Sequence, residues 1–83
     1  MTDDAERQAS LAQLEHLKRL GERAYDDMYE AHSSSGATAC YSDAKECFYD
    51  AIGLAGRLGL KEEAEALENR LEHIKAVFRS QFT

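Results

Sequence analysis

Residues 40–58 have the sequence CYSDAKECFYDAIGLAGRL, and this stretch decides the fold of the chain. At about 100° of rotation per residue, its apolar side chains form one unbroken arc over nearly half of a helix circumference. Small alanines lie along the middle of the arc, with Cys47 and Leu54 on one flank and Phe48 and Ile52 on the other. Because each flank needs a neighbour, the pattern predicts a helix with two helical partners.

The composition favours helix throughout. The 83 residues include no proline and no tryptophan. Ala, Leu, Glu, Lys and Arg dominate, and no run rich in β-branched residues is present to form a strand. A chain of this length has room for one hydrophobic core. We therefore predict a single all-α domain over residues 1–83.

Two breaks divide the chain into three helices. The first helix is expected to begin near Asp3, which forms a capping-box-like pair with Glu6. Residues 33–36, SSSG, are expected to end it, since serines compete for backbone hydrogen bonds and glycine accepts the left-handed conformation. A second stop falls at Gly59. The predicted helices span about residues 3–32, 40–57 and 61–81.

The apolar surfaces of these helices differ in width. The third has one narrow stripe from Leu60 to Phe82, whereas the second needs two grooves. The second helix is therefore expected to lie in the middle of a three-helix antiparallel bundle. Gly21 lies in the core stripe of the first helix, where glycine costs about 1 kcal/mol relative to alanine. Its presence there indicates close approach of another backbone.

One spacing in the second helix is typical of a known repeat. Its positions are Tyr41, Ala44, Phe48, Ala51 and Ile52. The spacing resembles that of the second helix of the tetratricopeptide family, and the resemblance covers about one and a half repeats from Leu17 to Ile74. The same run is similar to the three-helix microtubule-interacting and transport domain. Both resemblances imply a helical fold that binds helical or extended segments of other proteins.

The charge balance narrows the possible partners. The chain is acidic, with 16 acidic and 10 basic residues and a net charge of −6. No cluster of Lys and Arg reverses this balance, so we expect no binding to nucleic acid or to an anionic membrane. The apolar runs are too short to span a bilayer, and the acidic opening MTDDAE is unlike a signal peptide. A cytoplasmic location is the expectation.

Few residues suggest chemistry. His32, Cys40 and Cys47 are candidate metal ligands, but the close pairs typical of zinc sites, such as CxxC or HxxxH, do not occur. The two cysteines lie seven residues apart, about 10.5 Å along one helix, so they cannot form a disulfide with each other. We therefore expect no metal, no cofactor and no enzymatic activity. The alternative is a small metal-binding or catalytic protein that uses His32 with Cys40 or Cys47.

The surplus of apolar and aromatic surface favours an interaction function. A second flank of the first helix carries more such surface than one neighbour needs, and Tyr49 lies beyond the edge of the second helix's arc. Tyrosines of this kind either form an interface or close the edges of a small core. We predict a small protein-interaction module or adaptor that binds a partner helix or forms a homodimer. The candidate binding residues are Leu11, Tyr25, Tyr29, His32 and Tyr49.

Overall fold

A computed structural model describes the backbone of residues 2–82 and the side chains of residues 4–82. The helices are α1 (Thr2–Glu30), α2 (Ser34–Arg57) and α3 (Lys61–Gln81), and the described residues include no strand. α1 packs against α2, and α2 packs against α3. The predicted all-α bundle with the second helix central is confirmed. The capping pair predicted at Asp3 involves a side chain outside the described part of the chain.

The α1–α2 connection is shorter than the sequence predicted. α1 ends at Glu30, and α2 begins at Ser34 rather than near residue 40, so only residues 31–33 connect the two helices. Ser33 is the reason, because its hydroxyl oxygen accepts a hydrogen bond of 3.0 Å from the backbone N–H of Gly36. Serine is among the best N-cap residues, so the serine run begins a helix here instead of ending one. The early start also brings Ala37 into the core.

The α2–α3 connection follows the prediction. α2 ends at Arg57, and Gly59 has a φ of 75°, a conformation that costs glycine little. The N–H of Leu60 donates to the carbonyl of Ala55 at 2.9 Å, and the N–H of Gly59 donates to that of Gly56 at 3.1 Å. This pair of bonds is a Schellman motif, which satisfies two of the last carbonyls of α2.

Phe48 is the centre of the core. Its side chain is 1% exposed, and Leu14, Met28 and Ile74 are buried with it. The ring lies directly on the backbone of Gly21, where an added Cβ atom would stand 2.7 Å from Phe48 Cε2. The close approach predicted at Gly21 is confirmed, but the neighbour is an aromatic ring rather than another backbone. Among the described residues, no helix has the length and apolar content needed to cross a bilayer.

Candidate protein-interaction site

The flank of α1 that carries Leu11, Tyr25 and Tyr29, which the sequence predicts to bind a partner, lies on the α3 side of the helix. Tyr25 is 8% exposed, and the guanidinium carbon of Arg70 lies 5.0 Å from the centre of its ring. The imidazole of His73 meets the same ring edge to face at 6.4 Å. Arg70 is held in place by a bidentate bond to Glu22 of α1, with Nε donating to Oε1 at 2.6 Å. Tyr25 therefore closes the edge of the core, and it is not an open anchor for a partner.

Tyr29 lies one turn after Tyr25 on the same flank of α1, toward the end of the bundle. Its hydroxyl lies 3.1 Å from that of Tyr25, and its ring meets Phe82 edge to face at 5.7 Å. The ring remains 48% exposed. Burial, followed by the hydrogen bond with Tyr29, raises the pKa of Tyr25 to about 12 from a usual 10.0. Much of the aromatic surface on this flank of α1 therefore contacts other residues of the same chain.

The other predicted residues lie apart from one another. Leu11 is half-buried on the α3 side of α1, about 80° around the helix from Gly21. His32 is exposed in a small cleft with Ser33 and Phe82 at the end of the bundle. Tyr49 is 52% exposed on α2, with the ammonium of Lys75 lying 5.2 Å from its ring centre. The structure does not bring the five predicted residues together into one site.

Two clefts lie between α1 and α2, one after the other along the helices, and together we call them the α1–α2 groove. The clefts have volumes of about 270 Å³ and about 310 Å³, and no α3 residue lines either. Leu20 lies about 140° around α1 from Tyr25, which places it opposite the α3 seam. The first cleft is lined by Leu20, Arg23, Ala24, Asp27, Asp43, Glu46 and Cys47. The second is lined by Gln13, Leu17, Tyr49, Asp50, Gly53, Leu54 and Arg57.

The floor of the groove is apolar and incompletely covered. Leu20 is 41% exposed, and Leu17, Ala24, Cys47 and Leu54 are each half-buried. Leu17, Leu20 and Ala24 recur at helical spacing, so they form one strip along α1. Sequence reasoning missed Leu20 as a binding residue because it lies outside the core stripe. The sequence does contain a signal for Leu20, because the strip runs parallel to the core stripe on the side of α1 opposite the tyrosines.

The rim of the first cleft is acidic. Asp27, Asp43 and Glu46 face one arginine, Arg23. Within the described side chains of residues 4–82, no ion pair involves any of these three carboxylates. The charges of Asp43 and Glu46 reach Cys47 on the floor of the cleft. Burial, and then the nearby carboxylates beginning with Asp43, raise the pKa of the Cys47 thiol.

The candidate metal ligands of the alternative prediction do not line one cleft. The cleft that His32 lines contains neither cysteine, and Cys47 lies in the α1–α2 groove. Both cysteines are free and half-buried. Over the described part of the chain, no three His, Cys, Asp or Glu side chains come together in a way that could hold a metal ion. The alternative therefore has no ligand cluster to support it.

Comparisons with known proteins do not assign this chain to a family. No family model matches this chain, and no curated protein or solved structure matches it either. The resemblances to the tetratricopeptide family and to the microtubule-interacting and transport domain stay predictions.

Proposed function

We propose that this chain is a small helical protein-interaction module that binds one amphipathic helix of a partner protein in the α1–α2 groove. The observation that carries the proposal is Leu20, which is 41% exposed on the floor of a groove that α3 leaves open. Single exposed leucines are common on protein surfaces. This one adjoins the half-buried Leu17 and Ala24 on α1, and an apolar strip beside a second helix is typical of grooves that receive a helix.

The length of the groove suits a short helix. It extends along α1 from Gln13 to Asp27, which is about 21 Å at 1.5 Å per residue. A partner helix of about four turns would cover that length. The contact would bury less than the roughly 800 Å² per partner of a standard stable complex. We therefore expect reversible binding of the kind that adaptors use.

A helix in the groove would turn the three-helix bundle into a four-helix arrangement. Full burial of a leucine side chain contributes about 1.5–3 kcal/mol, so covering the exposed part of Leu20 contributes about 1 kcal/mol. The half-buried Leu17 and Leu54 would contribute further. The binding energy would thus be centred on the apolar floor, with the charged rim around it.

Selection of helical peptides from a display library would test this function. We expect the selected peptides to carry apolar residues at i, i+3, i+4 and i+7. In the nuclear magnetic resonance spectrum of the protein, they should shift signals of Leu17, Leu20, Cys47 and Leu54. The proposal is refuted if no helical peptide is enriched over sequence-scrambled controls, or if the shifted signals lie on the α3 side of α1.

Two matched substitutions on α1 would distinguish binding in the groove from binding at the flank that carries Leu11, Tyr25 and Tyr29. Leu20→Ala should weaken peptide binding about fivefold, which corresponds to about 1 kcal/mol. Leu11→Ala removes the same atoms on the α3 side of α1 and should leave the affinity unchanged. The reverse result would place the binding surface on the Leu11 side. Circular dichroism of both variants would check that the helices persist.

A further inference from the structure

We infer that the helix that fits the α1–α2 groove is basic at one end, with Lys or Arg in the two turns that lie over Asp27, Asp43 and Glu46. This inference rests on the proposed function and adds the chemistry of the partner. It also implies that a second copy of this chain is the wrong occupant.

The two ends of the groove carry different charges. The cleft around Leu20 and Cys47 has three carboxylates and one arginine, Arg23. The adjoining cleft has one carboxylate, Asp50, and one arginine, Arg57, so it is balanced. The difference predicts an orientation for the partner, because only one end of the bound helix would meet excess negative charge.

The acidic end is available to a ligand. Asp27, Asp43 and Glu46 are exposed, and within residues 4–82 they form no ion pair with another side chain. They stand beside an apolar floor, where Lys and Arg can lay their aliphatic stems while the cationic groups reach the rim. Burial raises the pKa of the Cys47 thiol on this floor, and the charges of Asp43, Asp50 and Glu46 raise that pKa further.

Charge argues against self-association through this groove. A two-fold dimer places the same patch of both copies face to face. The acidic cleft of one copy would then meet either the same acidic cleft or the charge-balanced cleft of the other, in a protein whose net charge is −6. The outer face of α3 offers no better surface, because Glu65 and Glu68 are exposed there. A second copy therefore offers no basic surface to complement the acidic cleft.

Two synthetic helical peptides of about four turns would serve as probes. Both carry the same apolar stripe, and the first has Lys and Arg on its polar flanks at one end where the second has Gln. Fluorescence polarisation would measure the affinity of each for the full chain at low and at physiological salt. We expect the basic peptide to bind about tenfold more tightly at low salt, which amounts to a few exposed ion pairs. The advantage should shrink as salt rises.

A matched pair of variants would locate the charge effect. Asp43→Asn with Glu46→Gln removes two charges from the rim, and Glu65→Gln with Glu68→Gln removes two from the outer face of α3. The first variant should lose most of the preference for the basic peptide, and the second should keep it. An equal loss in both variants would mean that net charge, rather than the rim, attracts the peptide, and that would overturn the inference.

Alkylation of the two cysteines would show where the peptide lies. Cys47 lines the groove and Cys40 does not, so mass spectrometry of one sample provides its own comparison. Saturating basic peptide should slow alkylation of Cys47 more than that of Cys40. If both peptides protect Cys47 with equal affinity, the basic-partner inference is wrong and the proposed function stands. If neither peptide binds, or if binding leaves Cys47 unprotected, the proposed function fails as well.

Discussion

Replacing Gly21 by alanine should destabilise the protein, although the same substitution in most helix interiors is stabilising. An alanine Cβ at this position would lie 2.7 Å from Phe48 Cε2 and 2.9 Å from Cδ2. Ordinary carbon contacts are about 3.5–4.0 Å. The Phe48 ring is 1% exposed and belongs to the buried core cluster, so it can move away only by displacing its neighbours.

The expected magnitude combines two opposing effects. Alanine gains about 1 kcal/mol over glycine in helix propensity. Overpacking a well-filled core costs about 1–3 kcal/mol. The net result for Gly21→Ala is a loss of about 1 kcal/mol in the free energy of unfolding. Gly53 is the matched control, since it lies in α2 and a Cβ there would meet no atom within 4 Å. Gly53→Ala should therefore stabilise the protein by about 0.5–1 kcal/mol.

Urea unfolding followed by helical circular dichroism would measure both variants. A double-mutant cycle with Phe48→Leu tests the cause, because the smaller side chain should relieve the clash. We expect the two substitutions together to cost less than the sum of their separate effects, by about 1 kcal/mol. The reasoning is refuted if Gly21→Ala stabilises as much as Gly53→Ala, or if the cycle shows no coupling.

Three further predictions concern stability. Phe48→Ala should lower the free energy of unfolding by about 3–5 kcal/mol, and a loss below about 1 kcal/mol in urea would show that the ring is peripheral. Ser33→Ala should cost about 1 kcal/mol through the lost N-cap, whereas Ser35→Ala, inside α2, should cost nothing measurable by the same assay. Stability should also fall between pH 10 and 12, because unfolded Tyr25 ionises near 10.0 while the folded protein holds the proton to about 12. Tyr25→Phe should make this fall shallower, and an unchanged profile would show that Tyr25 is not responsible.

The central position of α2 could be predicted because burial dominates its pattern. Ala44, Ala51 and Ala55 are fully buried together with Phe48, as the apolar arc indicated. The start of α2 could not be predicted in the same way. Serine both competes with helical hydrogen bonds and caps helices, so only the observed bond between Ser33 and Gly36 decides between the two roles.

The candidate site was harder to predict, because the third helix was judged by its apolar stripe alone. That stripe is narrow, but Arg70 and His73 also cover the ring of Tyr25. A guanidinium group stacks favourably on an aromatic face, so a charged residue here covers the ring as a hydrophobic residue would. Counting apolar residues therefore overestimated the free surface on one side of α1. It missed the exposed surface around Leu20 on the other side.

The contacts between the helices differ in extent, and this difference affects the order in which the chain folds. The α1–α2 seam is the most extensive, whereas long side chains such as Glu22 and Arg70 make the link between α1 and α3. We expect the transition state for folding to contain the α1–α2 hairpin, with Phe48 already placed on Gly21, and α3 to dock afterwards. Changes at the α3 seam should then mainly accelerate unfolding, while changes beneath Phe48 should slow folding itself.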